Sequence, residues 1–298
     1  MKNIATIKKI TILSFLLMFA FIGFNSCSST KAVKDNSENQ LNEAPVVEEV
    51  AEEVETSDAE SNFEEPETAE EKWARRNAEF EKITENMSLT QKRFYAYKHY
   101  GDTYEEIGRD LDYKIIVDDE SKEVIIQFKE SDSDEDWDNN YLFFPWPLKL
   151  DNKIIWTSFG YARIYKSAQN VPFDRFYREV ENHPDYKVVI WGWSIGSALA
   201  KIFARHFIIH TGRKRKIDEL TTYGDVKCWY NLFYSLKKDC IKIREYVTAN
   251  DMVTWCIPIC RRDVKCKVGP KYKFKESFNS EYYHLHYENY DYSAWEDE

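Results

Sequence analysis

The chain contains little cysteine, and its cysteines do not follow the pattern of a conventional metal site. Six occur in 298 residues. Cys256, Cys260 and Cys266 form the one close cluster, but their spacings are not those of paired C-x-x-C ligands, and no histidine lies between them. Structural zinc sites usually combine such pairs. The cluster therefore favours a disulfide or buried thiols over a metal ion, and we expect no metal and no cofactor.

A basic excess is also lacking. The formal net charge is −11, but it is unevenly distributed. Residues 1–47 sum to +2, residues 48–71 carry twelve acidic side chains and no basic one, and residues 72–298 sum to −1. A nearly neutral domain has no electrostatic footprint for a polyanion. Nucleic acid is therefore not an expected partner.

The chain has no apolar run long enough to be a typical transmembrane helix. The longest run, Ile10–Phe24, has 15 residues, whereas a span needs about 20. Lys2, Lys8 and Lys9 precede it, which is typical of a signal peptide. The sequence F-N-S-C that ends at Cys27 resembles a bacterial lipobox. The resemblance implies cleavage of residues 1–26, lipidation of Cys27, and a location in the bacterial cell envelope with a lipid anchor in the membrane.

Residues 27–71 are predicted to form a linker. They are rich in Ser, Asn, Glu and Ala, a composition that cannot bury enough apolar surface to offset the entropy of ordering. The acidic run within them is self-repelling and extends the chain. Residues 72–298 remain for one folded domain, a normal domain size.

The pattern of that domain predicts an α/β fold. Two apolar stretches, Tyr113–Val117 and Val124–Phe128, are typical of a β-hairpin. Lys187–Trp191 is a short apolar run, typical of a strand buried on both faces, and a helix is predicted over Ile195–His210. Further elements are predicted as helices over Glu71–Tyr100, with a Ser88/Gln91 capping signal inside it, over Phe173–Asn182 and near Cys228–Leu236, and as strands near Leu220–Tyr223 and Ile241–Val247. Strand–helix alternation after a hairpin favours a mostly parallel central sheet.

The pentapeptide G-W-S-I-G at 192–196 lies between the predicted buried strand and the helix that follows it. This is the context that a nucleophile elbow needs, with Ser194 on a sharp turn above the sheet. The backbone N–H of Ile195 can then donate to a developing oxyanion. The alternative interpretation is a glycine-flanked turn that holds an inert serine.

A serine nucleophile needs a basic histidine and an acid that orients it, and the chain order in this fold is serine, acid, histidine. His206 and His210 lie on the helix that leaves the elbow, so the histidines near the C-terminus, His284 and His286, are the candidate bases. Two acids, Asp225 and Asp251, follow apolar strand patterns and fit strand-end loops. The residues alone slightly favour Asp251.

From about Tyr113 to Tyr290 the motifs resemble those of the class 3 lipases. H-P-D-Y-K at 183–187 precedes the elbow as it does in that family, and L-T-T-Y-G at 220–224, N-D-M-V at 250–253 and H-L-H-Y at 284–287 resemble its later motifs. The resemblance implies an α/β-hydrolase fold with Ser194, Asp251 and His284 as a triad. F-K-E-S at 128–131 resembles the family's oxyanion strand, which implies Ser131 as a donor beside Ile195.

The sequence departs from the family pattern at four positions beside the elbow and oxyanion strand, one of them Lys129 in place of an arginine. Trp193 replaces a histidine in the elbow, Ser197 replaces a glycine after it, and Glu130 replaces a glycine beside the expected oxyanion donor. A carboxylate there would oppose the oxyanion unless it points away. These departures reduce the expected activity more than they affect the expected fold.

The expected function is therefore a serine ester hydrolase of the triacylglycerol lipase, phospholipase or esterase kind, acting on lipid or other carboxylic esters. The aromatic stretch Tyr141–Leu148 fits acyl chains, a membrane, or ordinary core equally well. The segment 133–140, which resembles a lid, is strongly acidic, which keeps a soluble ester as plausible a substrate as a lipid. The alternatives are a non-catalytic envelope lipoprotein that keeps the fold for binding, and an acyltransferase or peptidase.

Overall fold

A computed structural model describes residues 68–99, 104–109, 111–130, 142–230, 235–255, 260–273 and 279–296. The predicted signal peptide, Cys27, most of the acidic linker, Ser131 and the segment 133–140 fall outside these residues, so those expectations stay predictions. Within the described ranges, no helix is both long enough and apolar enough to cross a membrane.

The architecture is organised by a seven-stranded sheet in the order β1-β2-β3-β6-β7-β8-β9. β1 and β2 are antiparallel to their neighbours, and every pairing from β3 to β9 is parallel. The strands are β1 Glu105–Ile107, β2 Leu111–Asp118, β3 Glu123–Phe128, β6 Lys187–Trp193, β7 Ile217–Tyr223, β8 Cys240–Thr248 and β9 Cys266–Val268. This is the mostly parallel sheet that the sequence predicts, and its arrangement is that of an α/β-hydrolase.

Six α-helices occur in the described residues, and they cover both faces of the sheet. They are α1 Ala69–Thr84, α2 Leu89–His99, α3 Phe159–Ala168, α4 Asn170–Asn182, α5 Ile195–His210 and α6 Ser280–Leu285. Ile190 of β6 packs in a core that includes residues of α3, α4 and α5. Trp193, on the other face of β6, packs with Phe94 of α2 and Tyr287. Side chains of a strand alternate between faces, so β6 is buried on both sides.

A separate hairpin joins β4 (Pro145–Leu150) to β5 (Lys153–Ser158). Leu148, Leu150 and Ile155 are buried against the main core, so one face of the hairpin supports the domain. The sequence signal in this stretch is limited to its aromatic character, because its two prolines weaken any strand pattern.

The structure tests two of the helix predictions. The predicted helical region 71–100 is two helices, and Ser88 begins the second by accepting from Gln91 N at 3.4 Å while its own N–H donates to the Gln91 side chain at 2.8 Å. The helix predicted near Cys228–Leu236 is wrong at its start. Trp229 is extended and bridges both Thr157 and Arg261, because long-range pairing there satisfies the backbone that a helix would otherwise satisfy locally.

Candidate active site

The turn from β6 into α5 holds Ser194 in a strained conformation. Its φ is 54° and its ψ is −124°, a region that residues with a side chain rarely adopt. A Cβ at Gly192 would lie 2.1 Å from Gly196 O, and one at Gly196 would lie 2.2 Å from Phe128 O. Both positions of the G-x-S-x-G motif therefore exclude any larger residue, and the chain can bend sharply enough to lift the serine above the sheet.

Ser194, His284 and Asp251 come together although they lie far apart in the chain. Ser194 Oγ is 2.8 Å from His284 Nε2, and His284 Nδ1 is 2.8 Å from Asp251 Oδ2. An ionised carboxylate can only accept, so Nδ1 carries the proton, and the neutral ring then accepts from the serine hydroxyl at Nε2. The histidine is in the tautomer that a general base requires.

The carboxylate of Asp251 is held by further donors. It is fully buried. Val253 N donates to Oδ1 at 3.0 Å, and the Tyr287 hydroxyl donates to Oδ2 at 3.0 Å. Burial and the charge of Asp251 raise the pKa of Tyr287 well above its usual value, so this hydroxyl remains a donor. Sequence reasoning missed Tyr287, whose nearness to His284 in the H-L-H-Y motif was the available signal.

The structure gives a physical role to two of the departures from the family pattern. Trp193 donates from Nε1 to the backbone oxygen of His284 at 3.2 Å, and its ring packs against Phe94 with centroids 5.3 Å apart. Ser197 Oγ accepts from Val226 N at 3.0 Å. The residues at 193 and 197 therefore connect the elbow to the segments around it.

The alternative acid, Asp225, is engaged elsewhere. It is fully buried and binds Lys201 Nζ at 2.6 Å and Arg262 Nε at 2.7 Å. Arg262 also donates to the backbone oxygen of Thr254, in the short turn that follows Asp251. Asp225 therefore belongs to an ionic cluster that helps to fix the acid-bearing turn.

Glu245 completes this cluster as a fully buried side chain. Its Oε1 has no hydrogen-bond partner, and Lys201 Nζ lies 3.6 Å away. Burial and repulsion by Asp225 outweigh the attraction of Lys201 and raise the pKa of Glu245 to about 8.

The other candidate histidines lie apart from this constellation. His206 contacts the Tyr165 hydroxyl at 2.9 Å and Asp151 at 3.3 Å, and His210 contacts Asp151 at 3.0 Å. His286 is in contact with the backbone oxygen of Tyr282 at 2.8 Å.

The structure describes one of the two expected oxyanion donors. Ile195 is the first residue of α5, where a backbone N–H has no intrahelical acceptor and the helix dipole adds partial positive charge. Ser131 lies outside the described residues. Glu130 lies near the Tyr97 and Tyr104 hydroxyls. Burial, then the charges of Tyr104 and Glu130, raise the pKa of Tyr97.

The cysteines in the described part of the chain are free. Cys228, Cys240, Cys260 and Cys266 are all buried thiols. Burial raises the pKa of Cys260 to about 12, so this thiol is protonated and inert at neutral pH. Cys256 lies outside the described residues.

Residues 125–260 match the class 3 lipase family. The lipase match includes Ser194 and Asp251 and ends before His284. The matched segment is less than half of the chain. No curated protein matches the chain.

Solved structures of fungal lipases are similar to part of the chain. A fungal lipase in complex with an inhibitor is 19% identical with a TM-score of 0.47, over 55% of this chain and 63% of that one. The Rhizomucor miehei lipase–propeptide complex is 20% identical with a TM-score of 0.44, over 54% and 53%. The mono- and diacylglycerol lipase of Aspergillus oryzae is 15% identical with a TM-score of 0.43, over 57% and 63%. The chain thus spans less than two thirds of each of these structures.

Proposed function

We propose that the protein is a class 3 lipase-like carboxylic ester hydrolase with Ser194 as nucleophile, His284 as general base and Asp251 as the acid that orients it. The observation that carries the proposal is the unbroken pair of 2.8 Å hydrogen bonds from Ser194 through His284 to Asp251. The strained backbone of the serine adds support, since such strain concentrates at functional sites.

The reaction proceeds by two acyl transfers. His284 Nε2 takes the Ser194 proton as Oγ attacks the ester carbonyl, and Asp251 stabilises the imidazolium that forms. The Ile195 N–H, joined by the Ser131 N–H, binds the oxyanion, and one such donor contributes about 3 kcal/mol to lowering the barrier. The imidazolium returns its proton to the departing alcohol. Water then attacks the acyl-enzyme with His284 as base, releasing the acid and restoring the serine.

Exposed apolar side chains close in the sequence to Asp251 and His284 favour an acyl group as the part of the substrate that is recognised. Met252 and Trp255 flank Asp251 and are 49% and 44% exposed, and Tyr282 and Leu285 flank His284 and are 47% and 36% exposed. Apolar atoms beside a reacting ester can cover an acyl chain. We propose lipid esters as the substrate class, with soluble short-chain esters also accepted.

The proposed location is the bacterial cell envelope, with the chain anchored through lipid on Cys27. The basic n-region, the short apolar run and the lipobox-like sequence support it.

The catalytic proposal is tested with an ester and a covalent probe. Ser194→Ala should lower kcat for p-nitrophenyl butyrate by about 10⁴-fold or more and abolish fluorophosphonate labelling, with the circular dichroism spectrum unchanged. Ser235→Ala, a serine that caps a short turn elsewhere, should be labelled and active like the native chain. Labelling of Ser194→Ala at the native level would refute the assignment, and a native chain that neither reacts nor hydrolyses would favour a non-catalytic binding module.

A further inference from the structure

The β4–β5 hairpin exposes large apolar side chains on a folded domain. Phe144 is 47% exposed, Trp146 44%, Ile154 64% and Trp156 46%. Single exposed apolar residues are ordinary, but a contiguous group indicates an interaction site. These four lie within 13 consecutive residues, with Trp156 and Ile154 on one face of the hairpin and Trp146 on the other, so both faces of the hairpin are candidate contact surfaces.

The strand register places part of this group on one outward face. Pro147 pairs with Trp156, and Lys149 pairs with Ile154. Residues directly opposite in a pair share a face of the sheet. The outward face therefore combines an indole, a branched aliphatic side chain and an exposed ammonium group.

At the edge of the hairpin, aromatic and cationic side chains line a groove of ≈ 760 Å³. Trp146 and Phe159 form its apolar wall, with ring centroids 4.9 Å apart. Arg109, Arg163 and Lys166 line it as well, and none of the described residues that line it is acidic. The groove therefore joins apolar surface to positive charge.

Positive charge is concentrated along this part of the chain. Residues 142–168 contain four basic side chains and one acidic side chain, Asp151. The carboxylate of Asp151 faces His206 and His210 at 3.3 and 3.0 Å. The domain as a whole is nearly neutral, whereas residues 142–168 sum to +3.

We propose that the hairpin surface, defined as residues 144–156 together with Arg163 and Lys166, docks the protein onto a bilayer that contains anionic phospholipid. Tryptophan rings favour the boundary between headgroups and acyl chains, and basic side chains beside them are attracted to anionic headgroups. This surface acts independently of the proposed ester hydrolysis. It orients the domain on the membrane, which attachment through the N-terminus alone does not do.

The test measures local contact between the hairpin and lipid in the full chain. Vesicles of phosphatidylcholine, alone or with about 30 mol% phosphatidylglycerol to supply anionic headgroups, carry a brominated acyl chain that quenches nearby tryptophan. The apolar N-terminal run can attach the chain to either vesicle, but quenching of hairpin tryptophans requires the hairpin itself to reach the bilayer. The anionic vesicles should quench about threefold more strongly than the neutral ones, because the basic side chains add attraction.

Three variants isolate the surface. Trp156→Phe should remove part of the quenched signal. The triple variant Lys149→Gln/Lys153→Gln/Ile154→Ser should bring quenching down to the level of neutral vesicles. The matched triple variant Lys237→Gln/Lys238→Gln/Ile241→Ser makes the same chemical changes elsewhere, around an isoleucine that is 68% exposed. Its tryptophan fluorescence should be quenched as strongly as that of the native chain.

Each outcome decides the proposal. Equal quenching on both vesicles, or full quenching of the hairpin triple variant, would overturn it. Quenching that appears only after deletion of the acidic residues 48–67 would also overturn the proposal. In that case the hairpin surface would be a binding site for the acidic segment of the same chain. The hairpin triple variant should hydrolyse soluble p-nitrophenyl butyrate at the native rate, so loss of docking and failure of catalysis are distinguishable.

Discussion

Gly224 lies directly against the proposed base, and its replacement by alanine is the most informative perturbation of the site. Gly224 follows β7 and has a φ of +52°. A Cβ built there would lie 2.8 Å from His284 Cε1, 3.0 Å from His284 Nδ1 and 3.3 Å from Trp193 Cδ1. Alanine would therefore meet both the imidazole and the indole that holds its backbone.

The expected size of the effect follows from these distances. The contact with Cε1 is 0.6 Å short of the 3.4 Å at which ordinary van der Waals contact begins, so the imidazole must shift by at least that much. A 1 Å misplacement of a catalytic group costs about 100-fold. We expect Gly224→Ala to lower kcat by about 10- to 100-fold, which corresponds to about 1.4–2.7 kcal/mol of barrier. The positive φ adds about 1–2 kcal/mol of instability.

Gly212 supplies the control because it isolates the backbone contribution. Its φ is +57°, and a Cβ there would meet nothing within 4 Å. Gly212→Ala should lose about 1–2 kcal/mol of unfolding free energy in urea and keep its kcat for p-nitrophenyl butyrate. If kcat of Gly224→Ala stays within about twofold of native, a change of only about 0.4 kcal/mol, or if Gly212→Ala loses as much activity, the steric reasoning is wrong.

Two other predictions concern pH and export. The pKa of Glu245 is raised from 4.5 to about 8, so the native chain should lose stability as pH rises from about 5 to 8 and the buried carboxyl ionises. The side chain in Glu245→Gln stays neutral, so the melting temperature of this variant minus that of the native chain should rise across that interval. A difference that stays constant with pH would contradict the raised pKa of Glu245. Cys27→Ser should abolish incorporation of labelled palmitate in a bacterial host, whereas incorporation at the native level would rule out Cys27 as the lipidated residue.

Local sequence signals predicted much of the sheet and the elbow. Ile195–His210 is a helix over the predicted residues, and β6 extends two residues beyond the predicted Lys187–Trp191. These elements were accessible because their apolar pattern is continuous and the glycines of the elbow punctuate it. The residues alone favoured Asp251 over Asp225 only slightly, since both follow similar strands, and the family resemblance strengthened that preference.

Features that depend on long-range packing could not be predicted. The extended backbone at Trp229 is selected by pairing with Thr157 and Arg261, which are 72 and 32 positions away in the sequence. The ionic cluster around Lys201 was invisible because a lysine within an apolar helix usually indicates an exposed face. Its burial follows only from the positions of Asp225, which follows β7, and of Glu245 on the neighbouring strand β8.

The order in which the chain supplies its parts has a further consequence for biogenesis. The last strand of the main sheet ends at Val268, whereas the imidazole is carried by α6, which begins at Ser280. A ribosome that has delivered the nucleophile and all seven sheet strands has not yet delivered the base. During synthesis, therefore, the hydroxyl has no proton acceptor from residue 284, and the proposed hydrolysis becomes possible only when the segment after the sheet packs against the elbow.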